Sequence, residues 1–202
     1  MIAIVDYGVG NLFSLSCSLN AIGADVCVTG DADVLASADG IILPGVGAFC
    51  DAAEKLRESG LDKVVIEQAK SGKKLMGICL GMQMLFDESL ENGVYQGLGL
   101  IPGSVRPIAE TIDAGLKIPH IGWNALHLRQ DCPILKYVNE GDCVYFVHSY
   151  HAVTDEKYVA ADTEYSVPLT AAVVNGNIYG CQFHPEKSGE TGLKILKAFC
   201  EL

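Results

Sequence analysis

Four short, mostly apolar stretches stand out along the first 80 positions of the chain. They cover residues 2–5, 25–28, 40–43 and 75–78. Apolar runs of this length are typical of strands that are buried on both faces of a parallel sheet. The pattern therefore predicts a sheet in which residues 2–5 form a central strand.

Helical periodicity fills the gaps between these strands. Apolar residues recur three and four positions apart over residues 12–22, and Gly23 marks the end of that helix. A second helical region runs from about 51 to 70, with a candidate break at Ser59–Gly60, and a third helix begins at Leu80. Strands that alternate with helices predict an α/β fold with right-handed crossovers and helices on both faces of the sheet.

The second half of the chain has a pattern richer in strands. Glycines, prolines and weak periodicity over residues 92–119 predict loops and short strands. Longer strands are predicted at 143–147, 169–174 and 178–183, followed by a C-terminal helix. The predicted core positions of that helix are Leu193, Leu196 and Phe199.

Composition favours one sizeable domain that spans residues 1–202. Half of the residues are hydrophobic and 22 are glycine, as expected for a packed α/β protein. The net charge of −11 argues against nucleic acid or an anionic membrane as a partner.

The eight cysteines are scattered singly, without a disulfide framework, and the start of the chain lacks a basic segment and a cleavage site. A cytoplasmic location is therefore expected.

Candidate chemistry centres on Cys79, which directly follows the apolar run 75–78. Gly77 and Gly81 flank this cysteine and leave room for a sharp strand-to-helix turn, a nucleophile elbow. A helix that begins at Leu80 would direct its first N–H groups and its positive dipole end at the sulfur, which favours the thiolate. The alternative is a buried core cysteine, so a nucleophile here requires a base elsewhere in the chain.

His184 offers that base at the end of the predicted strand 178–183. An imidazole at a strand end can take the thiol proton, and the nearby carboxylate of Glu186 can hold the ring in one tautomer. Pro185 predicts a stiff, extended segment between them. Cysteine, histidine and glutamate together are the parts of an acyl-transfer triad.

Two ligand alternatives have weaker support. Two pairs of possible zinc ligands lie three positions apart: His148 with His151, and Cys181 with His184. This spacing suggests a zinc site, but strand alternation would place the two members of each pair on opposite faces. The Gly8-x-Gly10 loop after the first strand lacks the third glycine of a dinucleotide fingerprint. Neither a metal nor a cofactor is therefore expected.

A second glycine-containing loop, residues 44–49, follows the strand 40–43. Taken alone, it could be a plain turn. Because ligands of such sheets bind beyond the carboxyl ends of the strands, this loop is expected to lie on the same edge as Asp6 and Cys79. Its backbone N–H groups and that of Leu80 then form a candidate oxyanion hole.

Together these motifs resemble the class I glutamine amidotransferase family. The similarity is carried by Gly77-Ile-Cys-Leu-Gly81 with Gln83, by the Pro44-Gly-Val-Gly47 loop and by His184-Pro-Glu186. More narrowly, the chain resembles the glutaminase subunits of imidazole glycerol phosphate synthase from Ile2 to about Phe199. The motifs behind this narrower resemblance are Ile4–Asn11, Leu43–Phe49, Pro119–Asn124 and Val147–His151. The family implies a flavodoxin-like fold, with a mostly parallel sheet flanked by helices.

The resemblance also implies a role for each matching residue. Cys79 would attack the side-chain amide of glutamine, with His184 as general base and then acid, and Glu186 would orient His184. The glycines of the 44–47 loop would let an oxyanion N–H turn toward the site only when the partner holds its ligand. The implied oxyanion residues are Gly45, Val46 and Leu80, and the implied glutamine-binding residues are Gly47, Gln83, Ser149 and Tyr150.

A partner follows from the same resemblance. Glutaminases of this kind form a heterodimer with a (β/α)₈ cyclase, which uses the ammonia to make imidazole glycerol phosphate and an aminoimidazole carboxamide ribotide for histidine and purine synthesis. Asn11 and Trp123 match residues expected at or near that interface, whereas a lone tryptophan is more commonly a core residue. The chain is too short to include a barrel. A different amidotransferase subfamily, an unrelated cysteine hydrolase and a catalytically silent subunit are the alternatives.

Overall fold

The structure is a computed structural model that describes residues 1–202, with six α-helices and fourteen β-strands in three sheets. The helices are α1 (Leu12–Ala21), α2 (Ala32–Ser37), α3 (Phe49–Glu58), α4 (Leu61–Lys70), α5 (Leu80–Gln83) and α6 (Gly189–Cys200). The strands are β1 (Ile2–Val5), β2 (Val26–Thr29), β3 (Gly40–Leu43), β4 (Lys74–Ile78), β5 (Glu88–Ser89), β6 (Tyr95–Gln96), β7 (Ser104–Pro107), β8 (His120–Ala125), β9 (His127–Leu128), β10 (Cys143–His148), β11 (Tyr150–Val153), β12 (Val159–Tyr165), β13 (Val167–Asn175) and β14 (Ile178–Cys181).

The largest sheet has eight strands in the order β2-β1-β3-β4-β14-β13-β12-β9. Its first five strands pair in parallel and the remaining three are antiparallel. The parallel part has the flavodoxin-like order, since β14 takes the place of a fifth strand. Ile2 pairs with Val26 on one side and with Gly40 on the other, so residues 2–5 do form a central strand.

The two faces of this sheet carry separate hydrophobic cores. Ala3 and Val5 pack into a core with residues from α2, α3 and α4, whereas Ile2 and Ile4 point to the opposite core with α1 and α6. Because successive strand residues face opposite sides, a continuous apolar run fills both cores at once. Each large side chain buried this way contributes about 1.5–3 kcal/mol of hydrophobic stabilisation.

The C-terminal helix covers the second of these cores with a slightly different face from the one predicted. Leu196 and Phe199 are fully buried, as expected, but Leu193 is only partly buried and Ile195 occupies the core position instead. Together with Gly192, the buried positions follow the three- and four-residue spacing of an α-helix.

Two predicted helix boundaries had different outcomes. The break at Ser59–Gly60 is confirmed, because Gly60 adopts a left-handed conformation (φ 74°) between α3 and α4. The helix expected from Leu80 is only the four-residue α5. A single turn sums few peptide dipoles, so the contribution to Cys79 is smaller than a full-length helix would supply.

The two smaller sheets come from the half of the sequence in which strands were harder to predict. One is the antiparallel ribbon of β8 and β10, and the other has the order β11-β7-β5-β6. In β8, Ile121 and Trp123 point outward while His120 is buried on the other face. No helix of the chain is both long enough and apolar enough to cross a bilayer.

Candidate active site

Four neighbouring parallel strands end at one edge of the main sheet, and the candidate residues follow those ends. Asp6 comes after β1, Pro44 after β3, Cys79 after β4 and Gln182 after β14. These strands lie side by side in the order β1-β3-β4-β14. The shared edge predicted for Asp6, the 44–49 loop and Cys79 is therefore confirmed.

Cys79 occupies a strained turn between β4 and α5. Its φ of 55° and ψ of −112° are rarely adopted by a residue with a side chain, and such conformations cost about 1–3 kcal/mol. The Cys79 N–H donates to the carbonyl of Cys181 at 2.7 Å, which anchors the turn to β14. A Cβ at Gly77 would lie 2.6 Å from the Gly81 carbonyl oxygen, and a Cβ at Gly81 would overlap the carbonyl of Leu43. Both glycines thus permit the tight backbone packing that holds the turn.

His184 and Glu186 form a buried pair beside Cys79. The distance from His184 Nδ1 to Glu186 Oε1 is 2.9 Å, and the two side chains are 4% and 3% exposed. The expected extended segment between them is wrong, because Pro185–Lys187 form a 3₁₀ turn that carries Glu186 back beneath the ring. The backbone N–H of His184 donates to the carbonyl of Tyr145 at 3.0 Å, so β10 fixes the backbone of this turn.

Charge around His184 favours its protonated form. Burial lowers the pKa of His184, but hydrogen bonds to Cys79 and Glu186, together with the charges of those two groups, outweigh burial and raise the pKa to about 9. The ring is therefore an imidazolium at neutral pH, next to the Cys79 sulfur. This is the charge arrangement of a cysteine–histidine nucleophile.

A cavity of about 330 Å³ opens over Cys79 and His184. Its size suits a small polar molecule rather than a peptide. The lining residues are Val46, Gly47, Cys79, Leu80, Gln83, Glu91, Pro119, Val147, His148, Ser149, Tyr150 and His184. The structure thus brings together every predicted catalytic, oxyanion and glutamine-binding residue except Glu186, which lies behind His184, and Gly45.

Gly45 lies just behind the cavity wall, where it packs against the Cys79 turn. A Cβ at this position would lie 2.7 Å from the Gly81 nitrogen, so only glycine fits. The adjacent Pro44 carbonyl accepts a hydrogen bond from the buried Tyr7 hydroxyl at 2.7 Å. This bond holds the start of the loop in place while Val46 and Gly47 remain exposed at the cavity mouth.

The cavity wall opposite Cys79 is held by side-chain bonds to one main-chain carbonyl. The carbonyl of Tyr150 accepts hydrogen bonds from Gln83 Nε2 at 3.1 Å and from His148 Nδ1 at 2.8 Å. Burial lowers the pKa of His148 to about 3, so the ring is neutral. Its remaining nitrogen, Nε2, lies 3.0 Å from His120 Nδ1. These bonds fix the strip Ser149–Tyr150 that faces the cavity.

No group of three or more histidine, cysteine, aspartate or glutamate side chains converges in a way that could hold a metal ion.

Comparison with known proteins agrees with this geometry. The profile of the family glutamine amidotransferase class-I matches residues 3–201. The imidazole glycerol phosphate synthase subunit HisH of Geobacillus sp. (strain WCH70) is 51% identical over 205 residues, which cover 100% of this chain and 97% of that protein. HisH of Caldanaerobacter subterraneus subsp. tengcongensis is 47% identical, with coverages of 100% and 98%.

The chain belongs to the class I glutamine amidotransferases, in the group of HisH subunits of imidazole glycerol phosphate synthase.

Solved structures agree on the fold of this amidotransferase. The structure of PurLQS from Thermotoga maritima superposes with a TM-score of 0.78 at 24% identity, covering 99% of this chain and 97% of that one. A crystal structure of a glutamine amidotransferase gives a TM-score of 0.77 at 18% identity, with both chains fully covered. At such identities the likeness concerns the fold alone.

Two amidotransferase residues beside the site were missed at the sequence level. Glu91 lines the cavity and accepts a hydrogen bond from the N–H of Phe49 at 2.9 Å, but its surroundings in sequence indicate only a solvated loop. Gln182 is fully buried, and its Nε2 lies 3.8 Å from Cys79 Sγ. The sequence could have indicated Gln182, because an amide side chain within the apolar run 178–183 needs a buried hydrogen-bond partner.

The two predicted interface residues of the amidotransferase lie near the cavity. Trp123 is 55% exposed, so the core-tryptophan alternative is wrong, and its ring lies 6.1 Å from that of Tyr145 on the neighbouring strand. The ammonium of Lys187 is 5.9 Å from the Tyr145 ring centroid. Asn11 lines a small void with the Gly45 loop on the other side of the triad.

Proposed function

We propose that this chain is the glutaminase subunit of an imidazole glycerol phosphate synthase that serves histidine biosynthesis in the cytoplasm. Residues 1–202 act as one amidotransferase domain, and the ammonia passes to a separate (β/α)₈ cyclase subunit. The observation that carries the proposal is the buried cysteine, imidazolium and carboxylate at the floor of a small polar cavity. The HisH relatives support the choice of synthase.

The first half-reaction uses the charge arrangement of the triad. The Cys79 thiolate attacks the side-chain amide carbon of glutamine, and the carbonyl electrons move to oxygen as the C–S bond forms. The His184 imidazolium then donates its proton to the departing nitrogen, the C–N bond breaks, and ammonia leaves a thioester on Cys79. Glu186 stabilises the imidazolium and holds its tautomer through Nδ1.

The second half-reaction regenerates the enzyme. His184, now neutral, takes a proton from a water molecule that attacks the thioester carbon. The C–S bond breaks, glutamate is released, and the ring again faces a thiolate. The backbone N–H groups of Gly45, Val46 and Leu80 are the proposed donors to the oxyanion of both tetrahedral intermediates.

Glutamine recognition follows from the polar groups of the cavity wall. Gln83 directs its nitrogen to the Tyr150 carbonyl and to Gln182, which leaves its carbonyl oxygen for the substrate. Glu91 is the one carboxylate among the lining residues and is the proposed counter-charge for the α-ammonium of glutamine. Gly47 and the strip Ser149–Tyr150 provide the main-chain groups that hold the rest of the molecule.

The proposed cyclase interface is the exposed apolar surface of β8 and the start of α1. Ile121 and Trp123 lie on the outer face of β8, and Phe13 of α1 is 81% exposed two residues after Asn11. Apolar side chains of this size that are exposed to water favour aggregation when no partner covers them. Because Val147 of β10 and Pro119, just before β8, line the cavity, a subunit bound there would cover its mouth.

Replacing Trp123 with alanine should weaken cyclase binding more than it weakens the fold. Loss of a central interface aromatic typically costs about 2 kcal/mol or more, which corresponds to a roughly 30-fold higher Kd. The melting temperature should change little, because the side chain is already half exposed. Isothermal titration with the cyclase and calorimetric unfolding of the free subunit measure the two effects.

Tyr137→Ala is the matched control for this variant. Tyr137 is 42% exposed and its hydroxyl donates to Glu201 beyond the far end of α6, whereas a Cβ at Gly189, at the start of that helix, would lie 3.9 Å from the Trp123 ring. The control should bind the cyclase normally. A Trp123→Ala protein that is unfolded, or one that binds like the control, would contradict the interface role.

The proposal as a whole is tested by glutamate release from glutamine. The purified chain is assayed alone, with its cyclase subunit, and with the cyclase plus the ribonucleotide substrate of the synthase. Strong stimulation only in the last mixture is expected, since the exposed residues Val46 and Gly47 must complete the oxyanion hole. High activity of the chain alone would instead indicate a free-standing glutaminase, and no activity in any mixture would indicate a silent subunit.

A further inference from the structure

Gln182 is a fully buried amide with a single partner for its nitrogen. It follows β14 immediately and is 0% exposed. Its Nε2 makes no hydrogen bond except the one to Cys79 Sγ, at 3.8 Å. Burying amide N–H groups without an acceptor is costly, so the sulfur satisfies a donor that the fold places there.

A main-chain carbonyl fixes the direction of this amide. The Tyr150 carbonyl can only accept hydrogen bonds, so the nitrogen of Gln83 must be the atom that faces it at 3.1 Å. The same nitrogen lies 3.0 Å from the side-chain oxygen of Gln182. The oxygen of Gln182 is thereby held toward Gln83, and its N–H groups are turned toward Cys79.

We propose that Gln182 is a further catalytic residue, whose side-chain N–H donates to the Cys79 sulfur and stabilises the thiolate. The inference rests on the proposed glutaminase function and adds a residue to it. A thiolate is a far better acceptor than a thiol or a thioester sulfur, so the bond is strongest when Cys79 is the free nucleophile. No proton moves along the chain Tyr150–Gln83–Gln182–Cys79. Its effect is to connect the substrate-binding strip to the nucleophile by a fixed set of hydrogen bonds.

The test is the rate of Cys79 alkylation by iodoacetamide as a function of pH, in the wild type and in Gln182→Met. Methionine keeps the length of the side chain and removes the donor. Because the chain has eight cysteines, alkylation is followed by mass spectrometry of the peptide that contains Cys79. The variant should react about tenfold more slowly at pH 7, with its profile displaced to higher pH, as expected for a lost hydrogen bond to a charged group.

The other titratable groups around Cys79 are unchanged in the variant. His184 faces the sulfur from the turn after β14, with Glu186 behind it, and Tyr7 approaches from the loop after β1. Gln68→Met on α4, far from the cavity, is the control for the same exchange and should leave the profile unaltered. If the methionine variant does not fold, Gln182→Asn replaces it in the test. The asparagine amide is one methylene too short to reach the sulfur, so this variant should shift the profile in the same direction.

Equal profiles for the wild type and a folded Gln182 variant would overturn the proposal. Alkylation requires no glutamine, so this result is separate from the fate of the proposed function. If the profile is displaced but the protein never hydrolyses glutamine, the role of Gln182 toward the sulfur would stand and the proposed glutaminase function would be wrong. In an active enzyme, Gln182→Met should lower kcat with little change in KM, whereas a merely structural role would move both.

Discussion

Replacing Cys79 with alanine is expected to abolish glutamine-dependent synthesis by the complex, with a loss on the order of 10⁴-fold or more. The sulfur is the proposed nucleophile, and no other thiol lines the cavity. Synthesis with added ammonium salts should persist at its normal rate, because the cyclase carries out that step. The measurement is imidazole glycerol phosphate formation by the reconstituted complex with either nitrogen source.

Cys132→Ala is the matched control for the loss of a buried thiol. Cys132 is 6% exposed, compared with 8% for Cys79, but it packs in the core near α6, away from the cavity. This variant should retain glutamine-dependent activity. Loss of both the glutamine and the ammonium reactions in Cys79→Ala would contradict the proposed division of labour between the subunits.

Replacing His184 with asparagine is expected to lower glutamine hydrolysis by roughly 10³- to 10⁴-fold, because the ammonia loses its proton donor and the water loses its base. Asparagine can still fill much of the space above Glu186. His127→Asn, at an exposed histidine paired with Glu140, is the control and should behave as the wild type. Steady-state glutamate release in the presence of the cyclase measures the effect, and near-normal turnover would remove His184 from the mechanism.

The raised pKa of His184 also has consequences for pH dependence in the wild type. With a pKa near 9, the imidazolium persists through neutral pH, so kcat/KM should decline as the pH rises through about 9. The same shift makes the free energy of unfolding depend on pH, because the pKa of His184 rises from its ordinary value of 6.5 when the protein folds. The ring stabilises the fold fully below pH 6.5, and this contribution is lost as the pH rises toward 9.

Sequence patterns predicted the buried strands and the edge where the reactive residues meet. Residues 2–5 and 40–43 fill both cores of the sheet, and such positions leave little choice of structure. Patterns with fewer apolar residues were less informative. The short helix α2 follows Asp31, whose carboxylate caps it, but one buried leucine gives it no periodicity. Strands β11 and β12 were missed for a related reason, since their polar residues find partners distant in sequence: His151 lies 3.3 Å from Thr111, and Asp162 pairs with Arg129.

The three residues of the proposed triad were visible in the sequence, but the contacts that support them were not. Cys79 and His184 are rare residue types at strand ends, whereas the contacts that hold them join segments far apart in sequence. Tyr150 receives hydrogen bonds from Gln83, and Pro44 receives one from Tyr7. Neither pairing follows from local spacing. The length of α5 also depends on tertiary packing, because helical propensity after Leu80 could have continued the helix.

The pairing of β14 with β4 affects when the protein becomes active during its synthesis. Cys79 and Gln182 are separated by 103 positions but belong to the ends of adjacent parallel strands. Contacts of such long range form slowly, because the loop between them must close first. A nascent chain that has exposed its cysteine strand to solvent therefore has no histidine beside it. The ribosome must release the segment that carries His184 and Glu186 before any glutamine can be consumed, so products truncated before that segment should be inert rather than wasteful.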